Sequence, residues 1–466
     1  MMREVTINKK EFRYLQFVEF KDLGFWDAKR YANNSLLSEN HGLVKMAELL
    51  QKQRSKLQIQ NDQLYKQLTV RLYGNGATLR KEELGKNIKT KNQYVVRSGQ
   101  LVFSRIDARS GAFGIVPADL DGAIVSNDFP VYSIKSDVVL SAYLKLMISS
   151  LPFTEICKSK SSGTTGRRRM SENDFESIKI PLPPLSKQQE LITAYNQKLL
   201  DAYTKEQKAN QLEKSIDEYL IEELGIELPK AEAHQGGFLK FVEFKDLKEW
   251  GSNKISVGLL FSSKKYDLYS LNTKHELLVD LYRGKSPKYD ESSDKIILNQ
   301  KCVRWNDLKL EFGKSVNQKW LNGVEKNALT KLGDVLINST GEGTIGRSTQ
   351  INKTEWEGYL CDSHVLLLRL DKHHVNPSFF TEFFNSKFGQ RQVDEIKSAQ
   401  STKQTELGLA NLKKIKFPLP PLEIQNKIAT KITSTKEEIK TLRQESQNLK
   451  TQAKEEFEEE VFGGKQ

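Results

Sequence analysis

The longest regular alternation of apolar and polar positions falls in two stretches. From 185 to 224, Ile192, Tyr195, Leu199 and Ala202 recur at steps of three and four. The series resumes at Ala209, Leu212, Ile216 and Tyr219/Leu220, and only Glu206 interrupts it. From 422 to 462 the same steps run through Ile428, Ile432, Thr435, Ile439, Leu442, Ser446, Leu449 and Ala453. Such spacing draws one narrow apolar seam along a helix, the pattern of a coiled coil. Each stretch is predicted to be a rod about 60 Å long at 1.5 Å per residue. The first rod delivers the chain to its second half, and the second can bury its seam by returning along the first. The pair is therefore expected to be antiparallel and within one chain.

Both rods begin at the same corner, Pro-Leu-Pro-Pro-Leu at 181–185 and again at 418–422. Proline suits the entry to a helix and is excluded from its interior. Outside the rods the pattern changes to short alternating runs between turn signals. In the first half these predict strands at Thr69–Tyr73, Gln93–Val96, Leu101–Ile106, Gly114–Val116 and Phe129–Ile134, with a helix over 139–150. Apolar residues at Leu43, Met46, Ala47, Leu50, Leu57, Leu64 and Leu68 predict a helix over 43–68, exposed on most faces. In the second half, strands are expected at Ser270–Asn272, Asp334–Asn338, Gly358–Cys361 and Val365–Leu370. A helix is expected from Ser378 to Gln390.

The two halves are a duplication. Phe17–Leu23 recurs unchanged as Phe241–Leu247, residues 98–116 face 332–350, and 161–180 face 399–417, all in the same order. The resulting plan is α+β: two mixed α/β domains at 1–180 and 227–417, each followed by its rod, at 181–226 and 418–466. A polar linker is read at Pro229–Gly237. The 43–68 helix has no evident counterpart in the second half.

Composition adds a direction. The 466 residues exceed one ordinary core, and the net charge is +12. The rods are acidic, net −3 and −2, which leaves +17 on the remainder. A basic globular part joined to near-neutral rods points to a polyanion, nucleic acid first. No apolar run reaches membrane-spanning length and the start lacks a secretory pattern, so no membrane and a cytoplasmic location are expected. Cys157, Cys302 and Cys361 are scattered and read as buried free thiols. His373-His374 has no accompanying ligand spacing, so no metal site is expected.

Catalytic patterns are weak. Gly341, Gly343 and Gly346 match a dinucleotide fingerprint, but a strand is predicted after them where that site needs a helix. No ATP-binding phosphate loop occurs. Glu19-Phe-Lys21 and Glu243-Phe-Lys245 resemble half of a nuclease motif without a convincing upstream acid, and read better as solvated strand faces. What remains is basic loops beside small and aromatic residues. In the first half these offer Arg71, Arg80, Lys81, Arg105, Arg109, Arg167, Arg168 and Arg169 as DNA contacts. In the second they offer Arg283, Lys285, Lys288, Tyr289, Arg347, Lys403 and Gln404. Arginine pairs with guanine through two hydrogen bonds, and lysine more often holds phosphate.

The chain resembles the specificity subunits of Type I restriction–modification enzymes over nearly its whole length. The resemblance rests on the ordered duplication and on Ile178–Gln189 with its second copy Ile415–Gln425. It rests also on SRIDARSGAFGIVP (104–117) with DGAIVSNDFPVY (121–132). It implies two target-recognition domains, each reading half of a split double-stranded DNA sequence, with paired helices fixing the unread spacer. It implies a non-catalytic chain with no cofactor of its own. Two modification subunits would carry S-adenosylmethionine, and ATP-driven restriction subunits would join the full complex. A self-sufficient DNA methyltransferase or nuclease, a coiled-coil adaptor with non-specific nucleic-acid binding, and an RNA-binding protein stay as alternatives.

Overall fold

A computed structural model describes residues 41–161, 169–228, 261–291, 293–323, 328–398 and 406–463. The repeated Phe17–Leu23 and Phe241–Leu247 segments, both Glu-Phe-Lys motifs and the 229–237 linker lie outside the described residues. The chain divides into two compact units: Met1–Lys205 with Gln444–Gln466, and Glu206–Arg443.

In the first unit a four-stranded antiparallel sheet has the order Leu50–Gln53, Val131–Ile134, Leu101–Phe103, Phe113–Ile115. A five-stranded sheet adds Lys56–Gln58, Asn92–Val95, Ile124–Val125, Leu64–Val70 and Ala77–Leu84 in that order. Helices Ser141–Ser149 and Leu151–Lys160 cover the core. Phe103, Phe113, Tyr132, Phe153 and Phe175 pack ring on ring at its centre. Each such ring contributes about 1.5–3 kcal/mol by leaving water. The second unit repeats the sheet with Leu278–Arg283, Val365–Leu370, Val335–Asn338 and Ser348–Gln350, again in chain order first, fourth, second, third. Its core is phenylalanine-rich: Phe379, Phe380, Phe383, Phe384, Phe388 and Phe417 are all buried.

The expected 43–68 helix is wrong. The segment forms strands Leu43–Lys45, Leu50–Gln53, Lys56–Gln58 and the start of Leu64–Val70, with one helical turn at Met46–Leu49. Its Leu, Gln and Lys residues favour helix locally, but pairing to distant strands overrides that weak preference. The correction supplies the missing counterpart. Leu43–Lys45 pairs with Lys179–Pro181 as Leu268–Tyr269 pairs with Phe417–Pro418, and Leu50–Gln53 occupies the place of Leu278–Arg283.

Smaller departures come from tertiary context. The strand expected at Thr69–Tyr73 is Leu64–Val70, and residues beyond it form a hairpin tip. The one expected at Ser270–Asn272 is Leu268–Tyr269, because Ser270 and Thr273 hydrogen-bond to each other's backbone in a turn. The single helix expected from Ser378 to Gln390 breaks into Pro377–Asn385 and Lys387–Ser398. At the break Ser386 Oγ donates to the Phe383 carbonyl and accepts from the Phe388 amide.

The rods are continuous helices, Leu185–Leu224 and Leu422–Phe462. Within the first unit Lys187, Lys198 and Lys205 meet Glu460, Glu456 and Glu445, so one number rises as the other falls and the pair is antiparallel. Ser446 Oγ donates to the Ala202 carbonyl at 2.8 Å. Within the second unit Lys208 meets Glu438 and Glu223 meets Lys427, with the same sense. The seam is closed: Ile192, Ala202, Ala209, Ile428, Ile432, Ile439, Leu442 and Ala453 are buried, and Tyr195, Leu199, Ile216 and Leu449 are half-buried. Glu206, the interruption, faces Arg443 at 3.5 Å.

Each rod is fastened to its unit by one fully buried glutamine five residues after a proline carbonyl. Gln188 Nε2 donates to the Pro183 and Val138 carbonyls, and its Oε1 accepts from the Leu140 amide. Gln425 Nε2 donates to the Pro420 and His374 carbonyls, and its Oε1 accepts from the Asn376 amide. The proline corner therefore sets the helix entry, and the glutamine sets its angle to the domain.

Candidate nucleic-acid interface

In the first unit two loops are brought together by backbone bonds. The 71–76 hairpin tip joins Leu64–Val70 to Ala77–Leu84, and the 104–112 loop joins Leu101–Phe103 to Phe113–Ile115. The Tyr73 amide donates to the Ser110 carbonyl at 2.8 Å and the Gly74 amide to the Gly111 carbonyl at 3.0 Å. This places Arg71, exposed with its Nε on Thr78 Oγ1, on the hairpin beside the loop that carries the half-buried Arg109. Arg80 and Lys81 project from the exposed edge strand, Lys81 pairing with Glu83 at 2.6 Å.

Arg105 stands apart from these. Its side chain enters a cluster around Glu172, which is only a tenth exposed and also takes Lys52 and, at 3.6 Å, Arg54. The Met170 amide donates to the Arg105 carbonyl, and Arg169 reaches Asp128 at 3.3 Å. Lys52, Arg54 and Arg105 outnumber the nearby carboxylates of Glu172 and Glu176, the latter held by the Tyr132 hydroxyl, and leave net positive charge at a partly exposed surface, which suits a phosphate. Sequence reasoning missed Lys52, Arg54 and Glu172. The spacing of Lys52, on the strand, and Arg54, one residue past its end, was the available signal, hidden by the helix expectation. Arg167 and Arg168 lie outside the described residues.

In the second unit Arg283 pairs with Glu406 and donates from Nε to the Ser363 carbonyl. Gly284 comes next because the strand passes against Asp362, where a Cβ would overlap the carbonyl. Asp362 is buried, and burial raises its carboxyl above the usual range while the His364 amide opposes that shift. Lys285, Lys288 and Tyr289 are exposed, and Lys314 covers the Tyr289 ring at 4.9 Å. Arg347 is half-buried and donates to the carbonyl of the exposed Gly343 at 2.8 Å, so it braces its own loop. Lys403 and Gln404 lie outside the described residues.

Gly341, Gly343 and Gly346 all adopt positive φ in the loop between two antiparallel strands, and Ser348–Gln350 continues as strand. No helix N-terminus is therefore offered to a dinucleotide. The three cysteines are free and buried, and burial pushes the Cys302 thiol up to about 11. Among the described residues no cluster of three His, Cys, Asp or Glu side chains could hold a metal. No described helix is long and apolar enough to cross a membrane.

Comparison with known proteins agrees with this duplicated geometry. The family described as Type I restriction modification DNA specificity domain matches twice, over residues 39–214 and 278–451. A chain of the structure described as the structural basis underlying complex assembly and conformational transition of the type I R-M system shares the fold. It is 16% identical, with 92% of this chain and 99% of that chain covered and a TM-score of 0.56. The HsdS subunit from Thermoanaerobacter tengcongensis aligns at 18% identity over 92% of this chain and 98% of its own, with a TM-score of 0.48. No curated protein matches the chain. With both matches together spanning most of its length, the chain belongs to the Type I restriction modification DNA specificity family and carries two copies of its domain.

Proposed function

We propose that each unit of this specificity subunit reads one half of a two-part double-stranded DNA target, and that the paired long helices set the unread gap. The observation that carries this reading is the repetition of one assembly: the four-stranded sheet, the two-strand ladder at the proline corner, the buried glutamine and the long helix. Two copies of a reader on one chain match two half-sites, and duplicated helix surfaces match two copies of a modification subunit. In the reading, DNA recognition belongs to the basic loops of each unit, with Lys52, Arg54 and Arg105 on phosphate. Adenine methylation with S-adenosylmethionine, and ATP-driven cleavage with restriction subunits, belong to the partners. This chain supplies no reacting group.

Co-expression with the modification subunit, followed by mapping of methylated adenines, tests the proposal. The expected result is a motif in two parts separated by a fixed gap, with no methyl transfer by the purified chain alone. Methylation by the isolated chain would support a self-sufficient enzyme, and DNA binding without sequence preference would support an adaptor.

A further inference from the structure

The hairpin tip of the first unit holds a tyrosine in an unusual way. Tyr73 has φ +59, a left-handed conformation that a non-glycine side chain adopts at a cost. The residue is 79% exposed, the most exposed of the large apolar and aromatic residues among those described. Its backbone is nevertheless braced on all sides. The Tyr73 amide bonds the Ser110 carbonyl, the Gly74 amide bonds the Gly111 carbonyl, and Asn75 Nδ2 donates to the Leu72 carbonyl at 2.8 Å. Gly74 lies against Ser149, where a Cβ would come within 2.9 Å of the serine Cβ. A fold stabilised by burial gains nothing from presenting this ring to water on a strained backbone. Rigid presentation has value when a partner fills the space beside the ring. The same two joined loops carry two cations, Arg71 exposed on the hairpin and Arg109 half-buried on the adjoining loop.

We infer that Tyr73 is a base-contacting residue of the first unit, its ring lying against a base edge in the groove of the half-site that this unit reads while Arg71 and Arg109 hold nearby phosphates. The inference rests on the proposed reading of unit one as a DNA reader and names a residue within it. In a duplex the base faces are stacked on one another, so the ring meets a base edge such as a thymine methyl, and its removal weakens binding without changing the number of neutralised phosphates. With the backbone braced, only the ring's own two side-chain torsions are ordered on contact, which is the use of a braced loop.

The test uses the full chain with its modification subunit on duplexes carrying the mapped target. Tyr73→Ala and Tyr73→Gly are expected to weaken binding about tenfold, with the slope of log K against log salt unchanged. Tyr73→Phe is expected to stay within about threefold, since the ring is kept. 2-Aminopurine placed at adenines should report the altered contact in one half-site only. Tyr73→Gly also controls for folding, because glycine relieves the positive φ and its melting temperature should not fall below that of the parent. Parent-like binding by both the Ala and Gly variants would overturn the inference alone. So would an equal loss on unrelated DNA with a shallower salt slope, or loss of subunit assembly without DNA. Failure of the parent complex to select any two-part target would overturn the underlying reading and the inference with it.

Discussion

Replacing Gln425 with leucine is expected to destabilise the second unit by about 3 kcal/mol or more, and Gln188→Leu should do the same to the first. Each glutamine is wholly buried and makes three hydrogen bonds, all to backbone groups. Leucine fills similar space but strands the buried Pro420 carbonyl together with the part-buried Asn376 amide and His374 carbonyl, and an unsatisfied buried group costs about 1–3 kcal/mol. Against a domain stability of about 5–15 kcal/mol the loss is large. The control lies next door. Gln189 is exposed and bonds only to Thr193 within its own helix, so Gln189→Leu should change stability by less than about 0.5 kcal/mol. Hydrogen exchange reads the units separately. Gln425→Leu should speed exchange around residues 374–381 and leave the first unit unchanged. Parent-like protection in both buried-glutamine variants would show that the corner is held by something else.

Lengthening both long helices by seven residues at the level of Ala202 and Ser446 is expected to widen the gap in the DNA target and leave both half-sites intact. Ser446 donates to the Ala202 carbonyl, so the two insertions start at facing positions. Seven residues make two turns of the coiled-coil repeat, so the seam stays in phase and the ion pairs beyond the insertion keep their partners. The added length is about 10 Å, or about three base pairs at 3.4 Å each. Insertion into one helix alone would slide Ile439 and Leu442 off Ala209 and Leu212 and should abolish methylation. Mapped adenines decide the matter: an unchanged gap after the matched insertion would remove the helices from any spacing role.

What the sequence made legible was local or repeated. The seam could be read because its period lies within one helix. The duplication could be read because block order survives divergence. The proline corner could be read because proline has few conformational choices. Residues 43–68 could not be read, because the partners that turn them into strands lie far along the chain. Leu50–Gln53 pairs with Val131–Ile134, and Lys56–Gln58 with Asn92–Val95. The same distance hid the site. Lys52, Arg105 and Glu172 meet only once the sheet has formed, and nothing in the spacing of Glu172 announces a buried anion. Arg347 adds a contact of its own, since an arginine beside a glycine-rich loop reads as a surface residue and its bond to the Gly343 carbonyl appears only in the folded loop. Glutamine was visible after each corner, but its burial was not.

The division of labour between the units has one direct test. Residues 268–417 are replaced by a second copy of 43–180, a junction the matching strand ladders permit because Leu43 faces Pro181 as Leu268 faces Pro418. The hybrid is co-expressed with the modification subunit, and methylated adenines are mapped. The account predicts a target built from two copies of one half-site, with the second original half-site gone. A target that still contains the second original half-site would contradict it.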